Sequence, residues 1–246
     1  MEELKTSTKV LFFSALILLV ILMTGPIGYK FSIVPLEPSL TSLLVSVSGG
    51  GLVFLVGLFY FYTALRLDAG RDRNLVALST ILGLIPLGII GPQMLAAGNV
   101  PPIHDITTDT LNPPEFVAIA PLRANSPNGY KYGTSQAWPV EKLASVTREA
   151  YPALKSIESA LTVSNAVERA EAVLEAMDIE LVAVDIGAGL IEGTATTFWF
   201  GFKDDVVIRV VAKGKGSKID LRSMSRVGQS DIGANAARIL EFVDRF

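Results

Sequence analysis

One histidine and two aspartates fall within six residues of a chain that has no cysteine: His104, Asp105 and Asp109. An imidazole beside two carboxylates could hold a metal ion, or form a base oriented by an acid. The plainer alternative is a turn in which Asp and Thr side chains bond nearby backbone amides. Further on, Lys203, Asp204 and Asp205 offer paired acids that could divide proton-transfer roles or bind calcium. Directly before a strand they read more simply as turn and capping residues. Arg222 and Arg226 precede the closing helix and could hold a phosphate at its N-terminus. Asp231 is placed to cap that same helix, and its carboxylate would repel an anion. Phe198, Trp199, Phe200 and Phe202 crowd one short stretch. They either pack the core or leave a patch for a lipid, a helix or another subunit, with Trp199 and Phe202 as binding candidates.

Other chemistries are excluded. Without cysteine there are no disulfides, zinc thiolates or thiol nucleophiles. Ser-His-Asp catalysis would have to use His104, and no Gly-x-Ser-x-Gly elbow occurs. No cofactor is expected. Residues 99–246 carry 15 Lys and Arg against 19 Asp and Glu. That acidity argues against nucleic acid as a partner, because such binding rests on cations neutralising phosphates.

The elements that must position these residues begin with three apolar runs, at residues 10–27, 40–65 and 75–97, none containing Asp, Glu, Lys or Arg. Each approaches the roughly 20 residues that cross a hydrocarbon core, and in lipid each is most simply a helix. The start of the chain also has the outline of a signal peptide, but it lacks a small-x-small cleavage pattern and reads as a retained helix. Lys5 and Lys9 precede the first run, and Arg66, Arg71 and Arg73 sit between the second and third. The basic flanks place the N-terminus in the cytoplasm of a bacterial inner membrane or its equivalent, and the rest of the chain on the periplasmic side. Ser42, Ser46, Gly50 and Gly57 form a small-residue face for close helix packing, in the chain's own bundle or against a partner. Pro86 should kink the third helix. No ionisable group lies at depth, which argues against ion transport.

The expected domains are 1–98, a three-helix membrane part, and 99–246, an α+β domain with an antiparallel sheet of about four strands packed by helices. Residues 99–133 read as an extended lead-in. Helices are expected over 140–150, 165–177 (with Ser164 as cap) and 232–246. A short strand is expected over 155–161, and longer ones over 180–186, 190–200, 206–212 and 218–225. Alternation fixes one hairpin register: Ala212 faces Ser217, Val210 faces Ile219, Arg209 faces Asp220 and Val207 faces Arg222. Val206, Ile208, Val210, Ala212, Ile219 and Leu221 then share a buried face. The other face is charged, as in a half-covered sheet, with Arg209 and Asp220 as a cross-strand ion pair.

Three stretches carry a resemblance: Pro102-Ile103-His104-Asp105-Ile106-Thr107-Thr108-Asp109 with Asn112-Pro113-Pro114, the central run from Ile191 to Val210, and the run from Asp220 to Ile239. Over residues 101–246 the chain resembles domain-of-unknown-function family 1499. The resemblance implies an exported or anchored protein of bacteria or plastid-bearing organisms, and brings no catalytic residue or cofactor with it. The expected function is a non-catalytic accessory protein docking another integral membrane protein or a lipid at the bilayer surface. The alternatives are a metal-assisted hydrolase of an envelope substrate using His104, Asp105 and Asp109, and a lipid carrier with an apolar cavity between sheet and closing helix.

Overall fold

The computed structural model describes residues 5–67 and 70–246. The expected membrane part begins in residues 1–4 and its Arg-rich loop includes residues 68–69, positions that lie outside the described residues. The chain forms two compact units, one of residues up to Leu95 with Trp199–Gly201, the other of Ala96–Phe198 with Phe202–Phe246.

The first unit is three helices, α1 (Thr6–Lys30), α2 (Leu36–Arg66) and α3 (Gly70–Ala97). All three are long and apolar enough to cross a membrane. α1 and α2 outrun their apolar runs at both ends and α3 at its start only, and α3 continues through Pro86 and Pro92. The small residues of α2 serve packing inside this unit. Ser46 donates to Leu18 O at 2.8 Å. A methyl group at Gly50 would come within 2.6 Å of Gly83 O, and one at Gly57 would collide with the Thr80 side chain. Ser42 bonds Ser39 O within its own helix and lies against Gly25. Leu52, Leu55 and Phe59 are each more than 60 % exposed, the outward apolar surface that hydrocarbon would cover.

The second unit is an α+β domain. Its strands are β1 (Asp105–Thr107), β2 (Thr134–Ser135), β3 (Trp138–Pro139), β4 (Ile157–Ser159), β5 (Glu180–Asp185), β6 (Leu190–Thr196), β7 (Lys203–Lys213) and β8 (Gly216–Ser225). Its helices are α4 (Val140–Ala150), α5 (Val163–Ala176) and α6 (Ala234–Arg245), with a 3-10 turn at Ala120–Arg123. The antiparallel sheet runs β1-β8-β7-β6-β5, and β4 pairs further along β8 beside β1. Two short strands, β1 and β4, thus join the four long ones. Cap chemistry moves one boundary, since Thr162 and not Ser164 accepts the Asn165 amide at the start of α5.

The β7–β8 register follows the alternation: Val207 faces Arg222, Arg209 faces Asp220, Val210 faces Ile219 and Ala212 faces Ser217. Val206, Ile208, Val210, Ile219 and Leu221 are buried against α5 and α6, while Ala212 at the hairpin end is exposed. Ile239 and Phe242 of α6, each 1 % exposed, fill the space where a lipid carrier would need a cavity. The opposite face departs from a half-covered sheet. The irregular segment between β1 and β2 lies over it, burying Val207 and Met224 beneath Phe116 and Ile119.

Candidate functional site

Covering a charged sheet face with irregular chain is feasible only if every buried charge finds partners, because an unpaired charge in a protein interior is strongly disfavoured. The lead-in segment supplies them. Outside β1 and the 3-10 turn, Asn, Thr and Pro deny it regular structure, so its amides and carbonyls remain available to solvate side chains. Glu192, 1 % exposed in the middle of β6, accepts the amides of Val117, Ala118 and Ile119, each at 2.8 Å. Arg222 holds Asp105 through two hydrogen bonds at 2.8 and 2.9 Å and also donates to Pro114 O and Tyr130 O. Its guanidinium lies 5.0 Å over the Phe116 ring.

Asp205 is the hub of the network. It takes hydrogen bonds from Arg123 at 2.7 Å, from Arg226 at 2.8 Å to each oxygen, and from Thr194 at 2.7 Å. Burial pushes the Asp205 carboxyl up, but the bonds from Arg226, Thr194 and Arg123 outweigh it and hold it below the usual range. On the helix face, Asp204 pairs with Arg238 at 2.7 Å. Arg238 also donates to Ser223 and Asn235, and Asn235, fully buried, donates to His104 O and Ser225.

The side chains singled out in the sequence do not converge. His104 places Nδ1 3.2 Å from Gln229 O, whereas Asp105 is committed to Arg222. Asp109 pairs with Lys218 at 3.0 Å and caps the amides of Leu111 and Asn112. Burial raises its carboxyl, yet those amides and Lys218 bring it below the ordinary value. Among the described residues no group of three His, Cys, Asp or Glu could hold a metal ion. His104 and Asp105 instead border a cleft of about 310 Å³ with Asn128, Lys131 and Trp138, a space that would admit a small polar ligand.

Over this sheet and its closing helix, the family profile described as "Protein of unknown function (DUF1499)" matches residues 105–246. The chain belongs to the DUF1499 family. No curated protein and no solved structure matches it.

Within the DUF1499 domain, the three stretches that carried the resemblance supply much of the buried polar network. Lys203, Asp204 and Asp205 do not form a turn. They open β7, and the two acids point to opposite faces, each with its own arginines. Arg222 is buried in the sheet and Arg226 is held by Asp205, so neither addresses the start of α6. Gly233 and not Asp231 occupies the N-cap position, and Asp231, two residues before it, supports the helix start, its two oxygens accepting the amides of Gly233 and Asn235. Burial raises the Asp231 carboxyl despite those bonds. Ile232 between them has φ 55°, an outlier for a β-branched residue. The Arg209–Asp220 pair forms at 3.0 Å, with Asp220 fully buried rather than exposed.

The aromatic stretch is not strand either. β6 ends at Thr196, and Thr197 and Phe202 close a connection by two hydrogen bonds of 2.8 Å, with Gly201 at φ 68°. Phe198 is 91 % exposed, while Trp199 and Phe202 are half-buried. Sequence reasoning missed Glu192, Arg123 and Asn235. A glutamate as the lone charge of its strand is the one signal available for the first. Arg123 and Asn235 lie in stretches where polar residues are ordinary.

Proposed function

We propose that this DUF1499 protein is a membrane-anchored accessory protein that works by binding rather than catalysis, docking another integral membrane protein or a lipid at the bilayer surface. The observation that carries this reading is Phe198, almost wholly exposed in the Thr197–Phe202 connection of a domain tethered to a span-length helix. Exposed aromatics rimmed by polar chain are characteristic of protein or membrane contacts. The chemistry-bearing side chains lend support from the other direction, because Asp105, Asp109, Asp205, Arg222 and Arg226 are engaged with one another or with backbone. Trp199 and Phe202 flank the proposed contact. The reading also places the N-terminus in the cytoplasm, with Lys5, Lys9, Arg66, Arg71 and Arg73, and the globular domain on the periplasmic side of a bacterial inner membrane. Tethering raises the local concentration of the domain, so a contact of modest intrinsic affinity suffices.

The test is extraction at native expression in several mild detergents. Wild type should co-purify with a membrane protein or retained lipid, and Phe198→Ser should lose it while keeping its melting temperature. Recovery of wild type as a lone species in every detergent would overturn the reading. Protease added to intact spheroplasts should digest the globular domain, and cleavage only after lysis would reverse the orientation.

A further inference from the structure

Three residues of the connection between β6 and β7, Trp199–Gly201, belong to the helical unit. They sit where α1 ends and the turn into α2 begins. The Phe200 ring, 8 % exposed, packs on Tyr29 with 6.2 Å between centroids. Gly201, at φ 68°, lies against the aliphatic stem of Lys30, so closely that an added methyl group would meet its Cγ at 3.0 Å. Trp199 meets Phe200 edge to face, with 5.9 Å between ring centroids, and is half-buried. The α1–α2 turn at the same end is also apolar, with Phe31 66 % and Ile33 76 % exposed. That turn is well held, since the amides of Phe31, Ser32, Ile33 and Val34 all donate back to carbonyls of α1.

Helix length sets the depth of this cluster. The apolar run of α1, residues 10–27, rises about 27 Å at 1.5 Å per residue, close to the roughly 30 Å of a hydrocarbon core. Tyr29 and Lys30 follow directly, so they fall where acyl chains give way to headgroups, and Trp199–Gly201 are carried to the same level. Tyr and Trp favour that boundary, where hydrocarbon covers the ring and its polar edge stays wet. Exposed Met23 and Ile27 on α1 lead into exposed Phe31 and Ile33, so the outward apolar surface of the helices continues through the turn. We propose that Trp199 and the α1–α2 turn, with Phe31 and Ile33, are embedded together in the headgroup–acyl boundary, making lipid the partner of the aromatic connection. This contact rests on the proposed docking role and narrows its partner to the bilayer that holds the helices.

Trp199 can report its own depth, because the chain has two tryptophans and Trp138→Phe leaves it alone. The full chain is reconstituted in vesicles of phosphatidylcholine and phosphatidylglycerol whose acyl chains carry bromine, a quencher of indole fluorescence. Bromines near the carbonyl end should remove most of the Trp199 emission, bromines at the chain ends far less, and iodide on both sides of the membrane hardly any. Gly201→Val, which cannot seat against Lys30, should become open to iodide. If Trp138→Phe is unstable, the difference between wild type and Trp199→Phe isolates the same signal. Quenching by iodide without quenching by lipid overturns the proposal. Shielding from both does so too, since it marks a ring covered by protein, and so does a Gly201→Val variant that keeps the wild-type pattern. The docking role fails separately. Capture of a membrane protein that Phe198→Ser abolishes would stand even with Trp199 in water, whereas lipid quenching in a chain always recovered alone would leave only the lipid contact.

Discussion

Asp105→Asn tests whether the buried charges are structure rather than chemistry. The carboxylate is 3 % exposed, and both its oxygens are held by Arg222, which is 1 % exposed. The amide has nearly the same shape but presents an NH2 where Arg222 also donates, and it leaves the guanidinium without its counter-charge. Two unit charges about 4 Å apart at an effective dielectric of about 20 attract by about 4 kcal/mol. Measured losses on breaking such pairs run at about 3–5 kcal/mol. Pro114 O and Tyr130 O still accept from Arg222, which argues for the lower part of that range. A loss of about 3 kcal/mol in a domain of this size lowers the melting temperature by about 6–12 °C. The assay is thermal and denaturant unfolding of the full chain in detergent, with Asp105→Leu, Arg222→Met and the double variant beside it. The double variant should be less destabilised than the two single losses added together, because it leaves no orphaned charge. A cost below about 1 kcal/mol for Asp105→Asn, or strict additivity in the cycle, would refute the reasoning.

Other outcomes follow from the same geometry. Glu192→Gln should cost about 1.5–3 kcal/mol by setting a donor against the amides of residues 117–119, and hydrogen exchange there should accelerate. Because the Asp205 carboxyl is held below its ordinary value, its stabilisation is complete above about pH 4 and is lost as pH falls through the lowered value. Acid unfolding monitored by circular dichroism should therefore shift to higher pH in Arg226→Gln. Asp231→Ala should cost about 1 kcal/mol through loss of the carboxylate bonds at the start of α6, read as a lower denaturation midpoint. Gly50→Leu should disrupt α2–α3 packing by about 1–3 kcal/mol, seen as a lower melting temperature in detergent, while Leu52→Ala on the outward surface should change it little.

Part of this architecture is legible in the residues. The β7–β8 register could be read because a four-residue loop at 213–216 sets Val206, Ile208 and Val210 on the face of Ile219 and Leu221 and leaves Arg209, Asp220 and Arg222 on the other, and a one-residue slip would mix the faces. The three span-length helices announce themselves by length and lack of charge. The covering of the charged face could not be read. Its segment has no hydrophobic period, and its partners are distant in sequence, Arg123 with Asp205 and Arg222 with Asp105. A charged strand face ordinarily meets water, so the pattern favoured exposure. His104 and Asp105 illustrate a related limit, because neighbours in sequence can be claimed by different partners, Gln229 O for the first and Arg222 for the second. Strand propensity carries the aromatic run on to residue 200, whereas the Thr197 side chain closes it as a loop.

The irregular layer over the sheet also constrains when the domain can assemble. A ribosome delivers Asp105, Arg123 and the amides of residues 117–119 well before Glu192, Asp205 and Arg222 exist. Until those later strands emerge, the early half has nothing to clasp, and one of its charges must wait in water for each counterpart. Contacts spanning some 80 to 120 positions make ring closure slow and leave little for a partial chain to settle into. Truncation anywhere before the end of β8 should therefore yield not a smaller stable domain but an unfolded tail following the three span-length helices.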